Sequence, residues 1–256
     1  MHYFIGKIDL EEKLVYLDKE EAHHCAIVLR LRVGEKIGVL QTSNEYAIYI
    51  TELLSVSKNE CVGKIIEKKI FFPPKINTHL IISPPKNNER LEWLVEKCVE
   101  LQAHSLIFIK SERCIRKNIN LDRLSKLSIS AAKQSANPIL VQLEFFQSFS
   151  NLIHHLSENS NAHHLLAHCE KSENKISITP EYLIQLQNKK IKDIFIWIGP
   201  EGDWTHEEIQ IIKGIPKMDL FDKKEIIVDE INLGSTRLRT ETAAIYLLSI
   251  LKSLSE

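Results

Sequence analysis

Ile194-Phe195-Ile196-Trp197-Ile198-Gly199-Pro200-Glu201-Gly202 is an apolar run that stops at a glycine and turns polar. Leu233-Gly234-Ser235-Thr236-Arg237-Leu238-Arg239-Thr240-Glu241-Thr242-Ala243 repeats that design further along the chain. A buried strand ending in glycine brings bare backbone against a ligand at the strand's carboxyl end. Two such loops can face each other across one pocket, which points to a binding site and an enzyme. The pocket is not built for nucleoside phosphates. The chain has only eight glycines, no G-x-x-x-x-G-K-[ST], and no G-x-G-x-x-G after a strand. A ligand with an adenine edge and little net charge, such as S-adenosylmethionine, suits loops that offer backbone groups and few charges. Glu201 is a candidate to sit near the cationic part of such a ligand, to hold the loop, or to act as a helix N-terminal charge.

Working back from these loops, the chain from residue 78 alternates buried strands with helices. Thr78–Ser83, Ser105–Ile109, His164–Ala167, Ile194–Ile198 and Glu225–Val228 read as strands. Glu89–Leu101 reads as a helix with Leu91, Leu94, Val95, Cys98 and Leu101 on one face. Leu121–Ser135 reads as a second, with Leu124, Leu127, Ser128, Ala131 and Ala132 inward, and Arg239–Leu254 as the last. The pattern predicts an α/β domain with a largely parallel sheet. Residues 1–70 differ: their short β-rich segments bounded by Gly, Asn, Asp and Ser predict a small antiparallel sheet or barrel, with a short helix over Glu20–Leu31. Phe71-Phe72-Pro73-Pro74 marks the boundary, so the domains are read as 1–72 and 73–256.

Hydrophobic residues make up 44% of the 256, enough for a core and too many for a disordered chain. No apolar run approaches the roughly 18–20 residues of a membrane span, and the first residues lack a leader pattern. The five scattered cysteines read as reduced, and the expected location is cytoplasmic. Net charge is −1, but Lys110, Arg113, Arg116, Lys117, Arg123, Lys126 and Lys133 form a basic cluster, and Arg30, Arg32 and Lys36 a smaller one. Such clusters read either as a phosphate-contacting face or as a solvated surface. His154, His155, His163, His164, His168 and Cys169 match no zinc spacing, and the flanking Asn and Ser residues predict a surface loop; no metal is expected.

The segment Ile198-Gly199-Pro200-Glu201-Gly202-Asp203-Trp204-Thr205 followed by Glu208 resembles an "IGPEGG-F-S-x-x-E" motif. Leu233–Ala243 resembles "LG-x-x-I-L-R-T-E-T-A". Lys86 with Glu92–Leu101, Ala131-Ala132-Lys133-Gln134-Ser135, and His24 with Val28-Leu29-Arg30 and Gly34 match further motifs in order along the whole chain. All belong to the RsmE family, the ribosomal small-subunit (16S) RNA uridine N3-methyltransferases of the SPOUT superfamily. The chain departs from the family pattern at Gln102, at Asp203 where a second glycine is common, at Leu238, and after Gln134-Ser135, where an arginine is missing.

The resemblance implies a PUA-like β-barrel before a trefoil-knotted α/β domain, S-adenosylmethionine as cofactor, 16S rRNA or the small subunit as partner, and a homodimer. It implies cofactor contacts at Leu166, Ala167, Ile198, Gly199, Pro200, Glu201, Gly202, Leu233, Gly234 and Leu238. Arg239 is the candidate for stabilising the uracil oxygen or a phosphate. Glu241 is a candidate base, an orienter of Arg239, or a cap on the last helix, and Thr240 shares that ambiguity. Arg30, Arg32, Lys86, Arg113 and Arg116 are candidate RNA contacts. Two alternatives stand beside this reading: a SPOUT methyltransferase acting on another RNA position, and a non-catalytic RNA-binding assembly factor.

Overall fold

The computed structural model describes residues 1–41, 45–157, 161–189, 191–218, 220 and 225–255. It divides into two compact units, residues 1–73 with 129–140, and residues 74–128 with 141–256.

The first unit is a six-stranded mixed sheet in the order β1-β4-β5-β6-β3-β2. Its strands are β1 (Tyr3–Ile5), β2 (Lys7–Asp9), β3 (Leu14–Leu17), β4 (Lys36–Leu40), β5 (Ala47–Val56) and β6 (Cys61–Ile70). Only β1 and β4 run parallel; the other four pairings are antiparallel. The two outermost strands are consecutive in the chain, separated by Gly6 alone. A Cβ on Gly6 would stand 2.9 Å from Val39 of β4 and 3.1 Å from Tyr16 and Val15 of β3. Glycine is therefore required where the chain passes from one side of the sheet to the other.

The short helix of this unit ends earlier than its periodicity predicts. α1 (Lys19–His23), capped by the Asp18 side chain accepting the Glu21 N–H, runs into a π-helical turn over His24–Val28. Arg30, at φ 55°, then reverses the chain. Phe4, Val15, Leu17, Ile37, Val39, Tyr49 and Leu53 fill the core with Ala22 and Cys25.

The second unit is a sheet of seven strands, all parallel, in the order β11-β13-β10-β12-β7-β8-β9. These are β7 (Asn77–Ile82), β8 (Ser105–Ile109), β9 (Gln142–Phe146), β10 (Ala162–Ala167), β11 (Ile176–Ser177), β12 (Asp193–Ile198) and β13 (Ile226–Asn232). The central four are buried on both faces, as covered parallel strands must be. One face packs against α4 (Phe149–Ser157) and α6 (His206–Gly214) through Ile81, Ile107, Leu166, Phe195 and Trp197. α7 (Thr240–Ser255) packs on β7 and β12 and against α2 (Asn88–Glu100) and α5 (Pro180–Asn188). α3 spans Leu121–Ser135, with Leu124, Ser128, Ala131 and Ala132 buried as its spacing predicts.

The histidine-rich stretch is not a surface loop. His154 and His155 lie on α4, while His163 and His164 are buried in β10; Glu158–Ser160, part of the polar flank behind that expectation, lies outside the described residues. The rings of His164 and His79 both stack on Phe195, at 5.1 Å and 4.4 Å. His163 and His164 serve as flat, partly polar core residues, each with one ring nitrogen hydrogen-bonded, and His79 has both bonded, to Ser105 and Asp193. No group of three potential metal ligands stands together among the described residues, and no helix there is long and apolar enough to cross a membrane.

Candidate active site

Register places Ala167, Ile198 and Ile231 side by side at the carboxyl ends of β10, β12 and β13. The loops that follow these strands enclose a cleft of about 490 Å³, within the range of small-ligand sites. β12 was inserted between β10 and β7 late in the chain, and β10 itself follows the outward run β7, β8, β9. The cleft thus sits where the direction of strand addition changes, the place at which parallel α/β sheets bind ligands.

The loop after β12 is tightly set. A Cβ on Gly199 would meet the Trp204 backbone nitrogen at 3.0 Å. The Asp203 N–H donates to the Pro200 carbonyl at 2.9 Å, and Asp203 takes φ 64°, a left-handed conformation that Asp tolerates. α6 then starts with a reciprocal cap: the Glu208 N–H donates to Thr205 Oγ1 and the Thr205 N–H to Glu208 Oε2. Glu208 also accepts the Glu112 N–H at 2.8 Å, tying the loop after β8 to the same point.

The loop after β13 turns at Gly234, whose φ of 115° excludes other residues even though nothing lies within 4 Å of an added Cβ. Its N–H donates to Asn232 Oδ1 at 3.0 Å. The chain then runs through Arg237 and Arg239 into α7, where Thr240 is buried at the edge of the cleft.

Of the residues expected to hold a cofactor, Ala167, Ile198, Gly199, Pro200, Glu201, Leu233, Gly234 and Leu238 line this cleft. Leu166 and Gly202 do not. Leu166 is fully buried in the sheet core, because its side chain alternates away from the loops. Gly202 gives its carbonyl to Arg113 Nη1 at 3.0 Å and leaves only van der Waals room for a Cβ against that side chain. Arg239 and Thr240 line the cleft, whereas Glu241 does not. Its carboxylate faces Arg90 of α2 at 3.5 Å and the residue is buried, so it joins α7 to α2.

The basic cluster is largely engaged within the protein. Arg113 bridges the carbonyls of Gly202 and Trp204, and Arg116 those of Pro85 and Lys86. Arg123 pairs with Glu92, and Lys133 with Glu21. Arg113 and Arg116 therefore brace the glycine loop and the turn after β7. The Lys86 N–H donates to Glu201 Oε1 at 3.1 Å, and its side chain is exposed. Arg30 and Arg32 lie exposed in the first unit.

Several cleft residues were not anticipated. His168 follows β10 and donates from Nε2 to Glu230 at 3.0 Å, and Glu230 also accepts from Lys213 and Ser172. Burial, with Lys175 nearby, lowers the His168 pKa despite Glu230. Burial alone would raise Glu230, but its hydrogen bonds from Lys213 and Ser172 hold it below the usual carboxylate range. Lys175 donates to the carbonyls of His168 and Glu170, both at 2.6 Å, closing that loop. Asp203 Oδ2 accepts the Cys169 N–H at 2.7 Å, joining the loops after β10 and β12. Position directly after a buried strand was the available signal for His168 and Cys169; Lys175 has none.

The fold and the cleft define an α/β protein that holds a small ligand on the loops at the carboxyl ends of its central strands. Residues 73–252 match the model of the RNA methyltransferase domain family, and the chain belongs to that family. Among its relatives, the ribosomal RNA small subunit methyltransferase E of Bacillus subtilis (strain 168) is 27% identical, covering 99% of this chain and 96% of the relative. The protein of the same name from Buchnera aphidicola subsp. Acyrthosiphon pisum is 25% identical, with 98% and 92% covered. The crystal structure of ribosomal RNA small subunit methyltransferase E from Neisseria gonorrhoeae, bound to S-adenosyl methionine, shares the fold: TM-score 0.75, 21% identity, 99% and 98% covered.

Proposed function

We propose that this protein methylates N3 of a uridine in 16S rRNA of the small ribosomal subunit, using S-adenosylmethionine as donor. The observation that supports it best is the cleft itself, in which the two glycine loops meet at the carboxyl ends of β10, β12 and β13. Its donor set fits the cofactor: backbone groups dominate, no glycine nest for phosphates is present, and Glu201 and Asp203 form no ion pair among the described residues. Unpaired carboxylates suit a cationic ligand. Family membership and the names of the relatives point the same way.

Bound in the cleft, S-adenosylmethionine would supply a methyl carbon activated by a cationic sulfur. The chain's own contribution is placement and charge. Gly199 and Gly234 let backbone approach the ligand closely, and Ile198, Leu233 and Leu238 wall it from water. Methylation requires N3 of uracil to act as a nucleophile after losing its proton, so negative charge grows on the ring oxygens. Arg239, exposed at the cleft with no side-chain partner among the described residues, is placed to stabilise that charge. Glu241 acts through Arg90 by fixing α7, and with it the position of Arg239. Arg30, Arg32 and Lys86 serve as phosphate contacts, while Arg113 and Arg116 brace the loops.

We also read the first unit as a PUA-like barrel that binds RNA and the second as a SPOUT domain with a trefoil knot. The enzyme acts as a homodimer in the cytoplasm. Calorimetry tests the cofactor assignment: binding of S-adenosylmethionine to the purified chain is expected, and no heat at millimolar ligand would refute it.

A further inference from the structure

The cleft wall carries a carboxylate at a place where glycine would fold with less strain. Asp203 holds φ 64°, a left-handed conformation that L-residues other than Asn and Asp rarely adopt. Its Oδ2 accepts the Cys169 N–H at 2.7 Å, and the Cys169 side chain also hydrogen-bonds to the carboxylate. Its Oδ1 lies against Gly199, 3.3 Å from where a Cβ on that residue would stand. A carboxylate has capacity for about four hydrogen bonds, so contacts from Cys169 alone leave part of it free for a ligand. The cations lining the cleft do not pair with it. Lys175 is held by two backbone carbonyls, Arg237 donates to the Glu201 carbonyl at 3.3 Å, and no ion pair joins Arg239 to it among the described residues. Glu201, the other acid of the cleft, likewise accepts one backbone N–H, from Lys86, but it is exposed where Asp203 is half-buried, so its charge is screened more strongly by solvent.

We infer that Asp203 is a specificity residue that supplies the counter-charge to the sulfonium of the donor and so distinguishes S-adenosylmethionine from its demethylated product. This rests on the cofactor reading above. The two molecules share adenine, ribose and amino-acid groups. They differ where transfer breaks the sulfur–methyl bond: the sulfur keeps the bonding pair and becomes a neutral thioether. A fixed negative charge favours the first over the second and eases product departure once the charge has gone.

The test is calorimetry of the full chain with S-adenosylmethionine and with S-adenosylhomocysteine, for wild type, Asp203→Asn and Asp203→Gly. Asparagine keeps an acceptor for the Cys169 N–H without the charge, and glycine keeps the backbone conformation. Both variants are expected to weaken S-adenosylmethionine by about tenfold, in the range of a lost charge contact, while product affinity changes less than about twofold. Equal weakening of both ligands would show that Asp203 only ties the loops together, and unchanged affinities would show no role; either overturns the inference. Wild type binding neither ligand would instead overturn the cofactor reading itself.

Discussion

Gly234 and Arg239 sit five positions apart and do opposite work. At φ 115° with open space around it, Gly234 is required for its backbone and not for its size. Gly234→Ala should therefore cost about 1–3 kcal/mol of strain, seen as a lower melting midpoint together with at least tenfold weaker S-adenosylmethionine binding. Undiminished binding would show that the turn does not shape the cleft. Arg239→Ala should leave cofactor affinity within about twofold but lower kcat by about 10²–10³, the usual loss for a donor aimed at developing charge. A matching loss of cofactor affinity would place Arg239 on the donor instead. Both line the cleft; Gly234 was read from a glycine following an apolar run, whereas Arg239 was read from the resemblance of its segment to the family motif. The role of Glu241 was not legible: its partner Arg90 is remote in sequence, and only the packing of α7 on α2 brings them together.

At the scale of elements, the loops owe their stiffness to side chains reaching from neighbouring loops. Glu208 caps α6 and also holds the loop after β8 through the Glu112 N–H. Glu208→Ala should destabilise the protein by about 2 kcal/mol in urea unfolding, the cost of stranding two buried or part-buried N–H donors, and Glu208→Gln, which keeps one acceptor oxygen, by less. A loss below about 0.5 kcal/mol for Glu208→Ala would mean that neither bond matters.

The row of rings across β7, β12 and β10 predicts a pH dependence. His164 accepts the Trp197 Nε1–H at 2.9 Å, and burial pushes its pKa down to about 3. Burial also lowers His104 and His168. A base whose folded pKa is depressed is protonated first in the unfolded chain. Stability is thus complete above about pH 7 and falls as pH drops below the unfolded value near 6.5, by up to about 1.4 kcal/mol per pH unit for each such histidine. Asp193, Asp229 and Glu230, all held low by their hydrogen bonds against the opposing effect of burial, add to the loss only near pH 4 and below. His164→Gln should flatten the slope between pH 6 and 4.5 in urea titrations; an unchanged slope would assign it to other groups. Amphipathic α2, α3 and α7 were readable from their periodicity. The short β11, α4 and α5 were not, since edge and connecting elements bury too little to impose a pattern, and the histidines misled because their polarity hid their role in the core.

For the whole molecule, alternating strands and helices announced a parallel sheet, but the order of its strands was not written locally. Placing β12 between β10 and β7 depends on pairings between segments far apart in the chain, and that placement brings the two glycine loops together. In the first unit, β1 and β2 lie at opposite edges of the sheet on either side of Gly6, which is packed against side chains of β3 and β4, an arrangement that periodicity does not reveal. The central claim is that the cleft serves methyl transfer to N3 of a uridine in small-subunit rRNA. The most direct measurement is mass spectrometry of nucleosides from small subunits that lack the modification, after incubation with the purified protein and methyl-labelled S-adenosylmethionine. The account predicts label in 3-methyluridine of 16S rRNA, formed about 10²–10³ times more slowly by Arg239→Ala; label in any other nucleoside, or none, would contradict it.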